Sequence, residues 1–552
     1  MKKLLLLAAL ALPLAACATT APTAGVSVDP ARLSQHVRVL SSDAFEGRGP
    51  ATAGEEKTVA YLAQQFQAVG VEPGGALVNG VRGWTQDVPL GRFDFETQPV
   101  SSVTVGGQTI PLRQSEDIAV RPAQTNVDAV VLKDAPLVFL GYGVKAPERG
   151  WDDFKGQDLK GKVGIVLIND PDFETGAGDF GGKAMTWYGR WVYKYEEAAE
   201  QGLAGLIIVH ETAPASYGWP TVKNSNTNTQ FDIVRANPAA AHTNVEAWIQ
   251  RDIAVDILRR AGHDFEALKK SAQSRDFQPV PLNATFSTTF DVRHDVIVSK
   301  NVAARLTGAT RPDEYVIHTA HHDHIGVGLP DAEGDTIYNG AVDNATGTAA
   351  LIELARVYAA EPRTERSVVF LAVAAEEKGL LGSEYYAANP LYPLEKTVAV
   401  LNTDALSPWG PARDFTISGQ AELGLKDMLI ATAARNGRTF TPDPRLEAGS
   451  FYRSDHFPFA KMGVPAISFG AGRNWVEGGL DAGRAWSEHY TATMYHQQAD
   501  EWSPQWTFTG LAADLNLLHE LGRELANSAV WPEWGEGSEF KATRDASAAA
   551  RR

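Results

Sequence analysis

The stretch HTAHHDHIGVG places His318, His321, His322 and His324 within seven residues, with Asp323 among them, in a chain that has 13 histidines in all. Histidine is the commonest metal ligand, but it also lines surfaces, so the tract gains meaning only from partners elsewhere. Those partners are mostly acidic. Asp343 stands in NGAVDNATG, Glu376 and Glu377 in AVAAEEKG, Asp404 in LNTDA, and His496 in TMYHQQADEW. Imidazole and carboxylate without thiolate suit Zn²⁺, with Mn²⁺ or Co²⁺ as the other candidates. The set is too large for one catalytic zinc with three protein ligands. It suits two cations roughly 3.5–4 Å apart that share a carboxylate. The HExxH helix of single-zinc sites is absent, because HETAP and HELGR both lack the second histidine.

These residues need elements that bring them together. EYVIHTA, SVVFLAVAA, TVAVLNTDA and VPAISFG read as strands. They alternate with helices such as TGTAALIELARVYAA and TGLAADLNLLHELGRELAN. The pattern is that of an α/β fold with a mostly parallel central sheet flanked by helices. Ligands of such sheets gather beyond the carboxyl ends of the strands. His321 and Asp323 follow the first strand, Glu376 and Glu377 the second, and Asp404 the third. Asp343 falls in the loop ahead of the helix at 346–360, and His496 in another loop. Strand alternation puts His321 and Asp323 on one face and His322 and His324 on the other. His321 is therefore the expected ligand and Asp323 the carboxylate that supports it. His318 is expected to pack, and His322 and His324 to be pocket-wall or surface residues. Glu376 and Glu377 cannot both bind metal at one crowded site without strong repulsion. One is expected to bind, and the other to carry a proton from the attacking water to a leaving amine. Singly, each residue also has a plainer reading, as a turn residue, a solvated face or a surface histidine. Their order and their place at strand ends favour the chemical one.

AHHDHIG, NGAVDNATGTAALIELAR, AVAAEEKGLLGSEYY, LNTDA, SDHFPFAKMGVP and YHQQADEW, in this order, resemble the co-catalytic di-zinc exopeptidase family that includes bacterial leucyl aminopeptidases and the glutamate carboxypeptidases. The resemblance implies two zinc ions, with His321, Asp404 and a bridging Asp343 on one, and Glu377, His496 and the same Asp343 on the other. It implies Glu376 as general base and Asp323 as the support of His321. Asp455 and His456 of SDHFPF, with the preceding Arg453, are candidate substrate-pocket residues, the first two either lining the pocket or only bracing it. Gln498 stands where many members have Pro or Ser, which touches no ligand. The implied activity is that of an aminopeptidase acting on peptides. A carboxypeptidase or dipeptidase of the glutamate carboxypeptidase type, with Arg453 or Arg473 clamping the substrate carboxylate, is the alternative on the same scaffold. A non-catalytic binding protein would be expected to lack the intact metal set.

A chain of 552 residues has room for two or three domains. Residues 28–125 are expected to form the N-terminal part of the peptidase domain. They hold two amphipathic helices around the Gly-rich LSSDAFEGRGPATAGE, the second from about Glu55 to Val69. Residues 126–293 read as a β-rich insert, similar to a protease-associated domain in GYGV, GKVGIVL and GLAGLIIVH. Residues 294–530 form the catalytic part, and 531–552 a tail with little to bury, expected to be disordered. MKKLLLLAALALPLAAC has two lysines, a short apolar run and small residues, the pattern of a secretory signal over 1–17. Its LAAC resembles the lipobox of bacterial lipoproteins. That implies lipidation of Cys17, the sole cysteine, followed by a tether over 18–27. The expected location is the cell envelope, anchored in the outer membrane and facing the periplasm, with a periplasmic or secreted soluble protein as the alternative. The lipid is the one expected membrane contact. The formal charge of −17 argues against a nucleic-acid partner.

Overall fold

The computed structural model describes residues 26–551, so the signal segment, Cys17 and most of the tether lie outside the described residues. The central strands lie side by side in the order Arg366–Val373, Arg311–His321, Thr397–Thr403 and Ala466–Ala471, each pair parallel. Their runs of Val, Ile, Leu, Phe and Ala are buried, as strands covered on both faces require. Helices Thr346–Ala359 and Thr509–Asn527 pack on these strands, and Pro30–Leu40 packs on Thr346–Ala359. Asp29 caps Pro30–Leu40 by accepting from Ala31 N at 2.9 Å, and Pro30 occupies the first turn, where a missing N–H costs nothing. Arg311–His321 comes first in the chain, yet later strands flank it on both sides. Its carboxyl end is therefore the point where the sheet's winding reverses, the place where such sheets bind ligands.

One strand joins two sheets. Val280–Leu306 runs for 27 residues. From Val292 onward it pairs with Thr85–Phe95 and then with Arg366–Val373, extending the central sheet. Its first half pairs with Val100–Val105 and Ala129–Phe139 in a second sheet. That sheet continues through Val163–Leu167, Gly205–His210 and Val245–Gln250 to Ile118–Arg121.

Several stretches differ from the sequence expectation. The strands Val100–Val105 and Ile118–Arg121, assigned above to the N-terminal part, belong to the second sheet. Short half-buried strands carry no local mark of the sheet they join. The polar stretch at 219–244 contains the helix Trp219–Asn226 and the strand Gln230–Ile233, which pairs back onto Thr85–Phe95. The tail is packed rather than disordered. Trp534 and Phe540 are buried, Phe540 stacks on Phe451 with ring centroids 6.0 Å apart, and Trp534 Nε1 donates to the Gly463 carbonyl at 2.9 Å. The helix Lys541–Ala546 follows, and Arg544 Nη2 donates to the Thr397 carbonyl at 3.1 Å. A few aromatic residues in a polar segment anchor it where average composition hides them. No helix among the described residues is long and apolar enough to cross a membrane.

Phe540→Ala is expected to destabilise the fold by about 3–5 kcal/mol in denaturant unfolding, the usual cost of emptying a buried aromatic site. An unchanged midpoint would mean that the tail is not packed in solution.

Candidate active site

His321 is the last residue of its strand and is buried. Its Nε2 lies 3.2 Å from Asp343 Oδ1 and 3.2 Å from Asp404 Oδ1. The other Asp343 oxygen, Oδ2, lies 3.2 Å from His496 Nε2, which is also 3.1 Å from Glu377 Oε2. Asp343 thus stands between two imidazoles with one oxygen toward each. All five residues expected to hold metal meet around it, and Glu376 lies close enough to His321 and Asp404 for their charges to act on it.

The loops that carry these groups are held from behind. After the strand Arg366–Val373 the chain turns through Ala375 at φ 53°, and the N–H groups of Glu376 and Glu377 donate to the Asp323 carboxylate at 3.0 and 3.3 Å. Ala405 and His496 are left-handed as well, at φ 48° and 57°. Non-glycine residues adopt that region rarely, and such residues cluster at functional sites. Asp500 accepts from Val342 N at 2.9 Å and Asp343 N at 3.0 Å, which fixes the loop bearing the shared carboxylate. Arg48, fully buried, donates to the carbonyls of Leu40, His322, Asn339 and Gly340 at 2.7–2.9 Å. It ties the Gly-rich N-terminal loop to both flanks of the site. Gly340 sits at φ 56° with the His324 ring so near that a Cβ would lie 2.6 Å from it, so only glycine fits. Ser454 Oγ donates to Asp404 Oδ2 at 2.6 Å.

The electrostatics are those of a crowded acidic site. Burial works to raise Asp343, but His321 and His496 outweigh it and hold the carboxyl well below its usual range. Burial would lower His496, but Glu377 and Asp343 outweigh it and push the imidazole up to about 10. His321 is raised well above its usual value against its burial, by Glu376, Asp404 and Asp343. Glu376 is raised well above the carboxylate range by burial, with Asp404, Glu377 and Asp455 adding to the shift and His321 opposing it. Burial takes Asp500 to about 6, with the Val342 and Asp343 N–H groups opposing.

The donor set fits divalent cations. His321, Asp343 and Asp404 each bring a ligand atom within 4.8 Å of the others, and so do His324, Asp343 and Glu377. His324 Nδ1 lies 2.6 Å from Glu377 Oε1, yet neither atom makes a hydrogen bond. Polar atoms that close and that badly aligned are what ligands converging on a common cation present, because buried polar groups otherwise pair. The excess of buried carboxylate over cationic side chains calls for the same compensation.

Residues 301–518 match the family model of peptidase family M28. The matched segment contains every residue of the cluster except Arg48. Among curated relatives, an aminopeptidase NAALADL1 of Mus musculus is 34% identical over 130 residues, covering 22% of this chain and 16% of that protein. A probable zinc metalloprotease of Leptosphaeria maculans is 28% identical over 247 residues, covering 39% of this chain and 54% of that protein. The chain thus spans about half or less of the length of these relatives. An aminopeptidase structure from Aneurinibacillus sp. strain AM-1 superposes with a TM-score of 0.49 at 18% identity, over 93% of this chain and 96% of that one.

Some sequence expectations change. His324 is no wall or surface residue: it is fully buried, with Nδ1 against Glu377. His322 is buried too, its Nε2 2.8 Å from the Lys300 carbonyl. The alternation argument fails for both because the strand ends at His321 and the chain leaves its pleat. His318 packs as expected, buried against Tyr358. His321 Nδ1 faces the Asp323 carbonyl at 3.2 Å, with the Asp323 carboxylate farther away at 3.8 Å. Asp323 therefore acts mainly by holding the Glu376–Glu377 turn. Neither Asp455 nor His456 lines an open pocket. Asp455 is fully buried and accepts from Ser383 Oγ at 2.6 Å, and burial takes it to about 7. His456 is sealed under Phe451 with ring centroids 4.7 Å apart, and burial lowers it to about 3. Arg453 is exposed and donates to Ser216, which follows the short helix Thr212–Ala215. Sequence reading missed Asp500 and Arg48 as anchors. Asp500 lies in the same motif as His496, four residues on, which was the available signal.

Asp500→Ala leaves two buried N–H groups unpaired and frees the loop of Asp343. It is expected to weaken zinc binding by about 10–100-fold in competition with a chromophoric chelator. Equal affinity would show that Asp500 does not hold the site.

Proposed function

We infer that the chain is a zinc-dependent exopeptidase that binds two cations and releases N-terminal residues from peptides. The observation that carries this reading is Asp343, with one oxygen toward His321 and the other toward His496. His321, Asp404 and Asp343 would hold one zinc, and Glu377, His496 and Asp343 the other. His324 stands against the Glu377 oxygen that His496 does not approach. Bound there, zinc supplies Lewis acidity, which polarises a peptide carbonyl and makes water more acidic.

Glu376 is the general base. It takes a proton from the attacking water and delivers it to the departing amine. A group whose surroundings raise its proton affinity suits that second task. Asp323 keeps Glu376 and Glu377 apart in function by pinning both of their backbones, so that one turn presents a ligand and a base side by side. A carboxypeptidase or dipeptidase on the same scaffold is the competing reading, and a cationic clamp for the substrate carboxylate would favour it. The spacing of the N-terminal segment supports lipidation at Cys17 and a place in the outer membrane facing the periplasm. Loss of palmitate incorporation in Cys17→Ser tests that location, and retained labelling would refute it.

The test is a panel of free and N-blocked peptides with and without chelator. Cleavage of aminoacyl-nitroanilides, lost on N-blocking and on chelation, is expected. Release of C-terminal residues from N-blocked peptides would replace this reading with the carboxypeptidase one. Glu376→Gln is expected to retain metal while losing about 10²–10⁴-fold in kcat, and a near-wild-type rate would remove it as the base.

A further inference from the structure

One hairpin holds exposed apolar side chains away from the core. Leu77–Val78 pairs with Val81–Arg82 across an Asn79–Gly80 turn, with both turn residues left-handed at φ 52° and 80°. That is the two-residue turn this dipeptide favours. The base is fixed. Gly75 N donates to the Gly83 carbonyl at 2.7 Å, Ala76 N to the Thr85 carbonyl at 2.8 Å, and Arg82 Nη1 to the Gly75 carbonyl at 2.7 Å. The tip is therefore presented rather than frayed, yet Leu77, Val78 and Val81 are 61%, 65% and 71% exposed. No other five consecutive residues among the described ones expose three large apolar side chains. Apolar groups gathered on a surface mark a contact with a partner or a membrane. In a chain of formal charge −17, residues 73–86 carry no acidic residue and one base, Arg82.

The hairpin lies on the side of the molecule opposite the metal cluster. The Arg82 guanidinium carbon sits 5.1 Å from the Tyr392 ring centroid, and Tyr392 packs on Tyr315 with centroids 4.7 Å apart. These two tyrosines mark where the parallel strands Arg311–His321 and Thr397–Thr403 begin, whereas His321 and Asp404 lie where they end. The first described residues lie on the hairpin's side as well. The Ser27 carbonyl accepts from Arg356 Nη2 at 2.8 Å, in the last turn of Thr346–Ala359, a helix whose first turn follows Asp343. Just beyond that helix Arg363 pairs at 3.6 Å with Glu72, in the strand Glu72–Pro73 that leads into the hairpin. From Ala18 to Val26 the chain has nine residues, which reach at most about 30 Å.

We propose that the Leu77–Arg82 hairpin is a membrane contact. Its apolar tip enters the interface of an anionic bilayer and, with the lipid on Cys17, seats this side of the protein on the membrane and turns the metal cluster toward the aqueous phase. The proposal rests on the lipidation reading and deepens it. So short a tether keeps the hairpin at high effective concentration near the lipid surface, where a weak insertion suffices to set orientation. A cation beside the apolar tip suits anionic headgroups, which would repel acidic residues placed there.

The experiment places an NBD fluorophore on Val78→Cys in the full chain, on vesicles of phosphatidylethanolamine and phosphatidylglycerol. A blue shift and quenching by nitroxide-bearing lipid are expected at position 78. Neither is expected at Val327→Cys, 61% exposed and three residues beyond His324 on the cluster's side. With the label moved to Val81→Cys, Val78→Asp is expected to lower the ratio of inserted to free tip by about 10-fold or more, with an unchanged thermal midpoint. Quenching that survives Val78→Asp, or that is equal at positions 78 and 327, would overturn the contact. A blue shift that follows protein concentration without lipid quenching would also overturn it, because the tip then meets a second copy of the chain. Palmitate labelling reads the anchor and quenching reads the hairpin, so either fails alone. Palmitoylated protein on vesicles without quenching at position 78 keeps the anchor and refutes the hairpin. Quenching at position 78 in protein that takes up no palmitate keeps the hairpin and removes the lipidation reading.

Discussion

A buried carboxylate with an imidazole at each oxygen constrains everything around it. Asp343 is 4% exposed, and Asp323, Asp455 and Asp500 are fully buried in its neighbourhood. Each ion removed from water costs several kcal/mol unless it is compensated. His321 and His496 compensate part of that charge, and Arg48 contributes from behind. The remainder is the physical reason the cluster suits divalent cations, and the reason it is backed by so many backbone hydrogen bonds. Groups that repel one another stay in place only when their loops are pinned, and Asp500, Asp323 and Arg48 do that pinning.

The fold supplies the convergence. Three parallel strands deliver His321, the Glu376–Glu377 turn and Asp404 to one edge, at the point where the winding of the sheet reverses. The shared carboxylate and the second histidine then arrive from loops. Val280–Leu306 carries the second sheet into the same framework, pairing with both sheets along its length.

The strands, and His321, Glu377 and Asp404 at their ends, are legible in the sequence because each of these residues follows a long apolar run, whereas Asp343 and His496 lie in loops and are marked only by their motifs. The pairing of Val100–Val105 was not readable, because short strands carry no record of the distant segment they join. His324 departs from the expectation because alternation does not extend past the end of a strand. Of the two roles open to Asp455 and His456, lining or bracing, their enclosure by Ser383 and Phe451 leaves the second. The packing of the tail depends on Trp534 and Phe540 finding Gly463 and Phe451, contacts that no local composition announces.

Anomalous diffraction at the zinc edge from crystals grown with zinc addresses the central claim most directly. Two peaks roughly 3.5–4 Å apart are expected, both within bonding distance of Asp343, one beside His321 and Asp404 and the other beside His496 and Glu377. A single peak, or two peaks that do not share Asp343, would contradict the account.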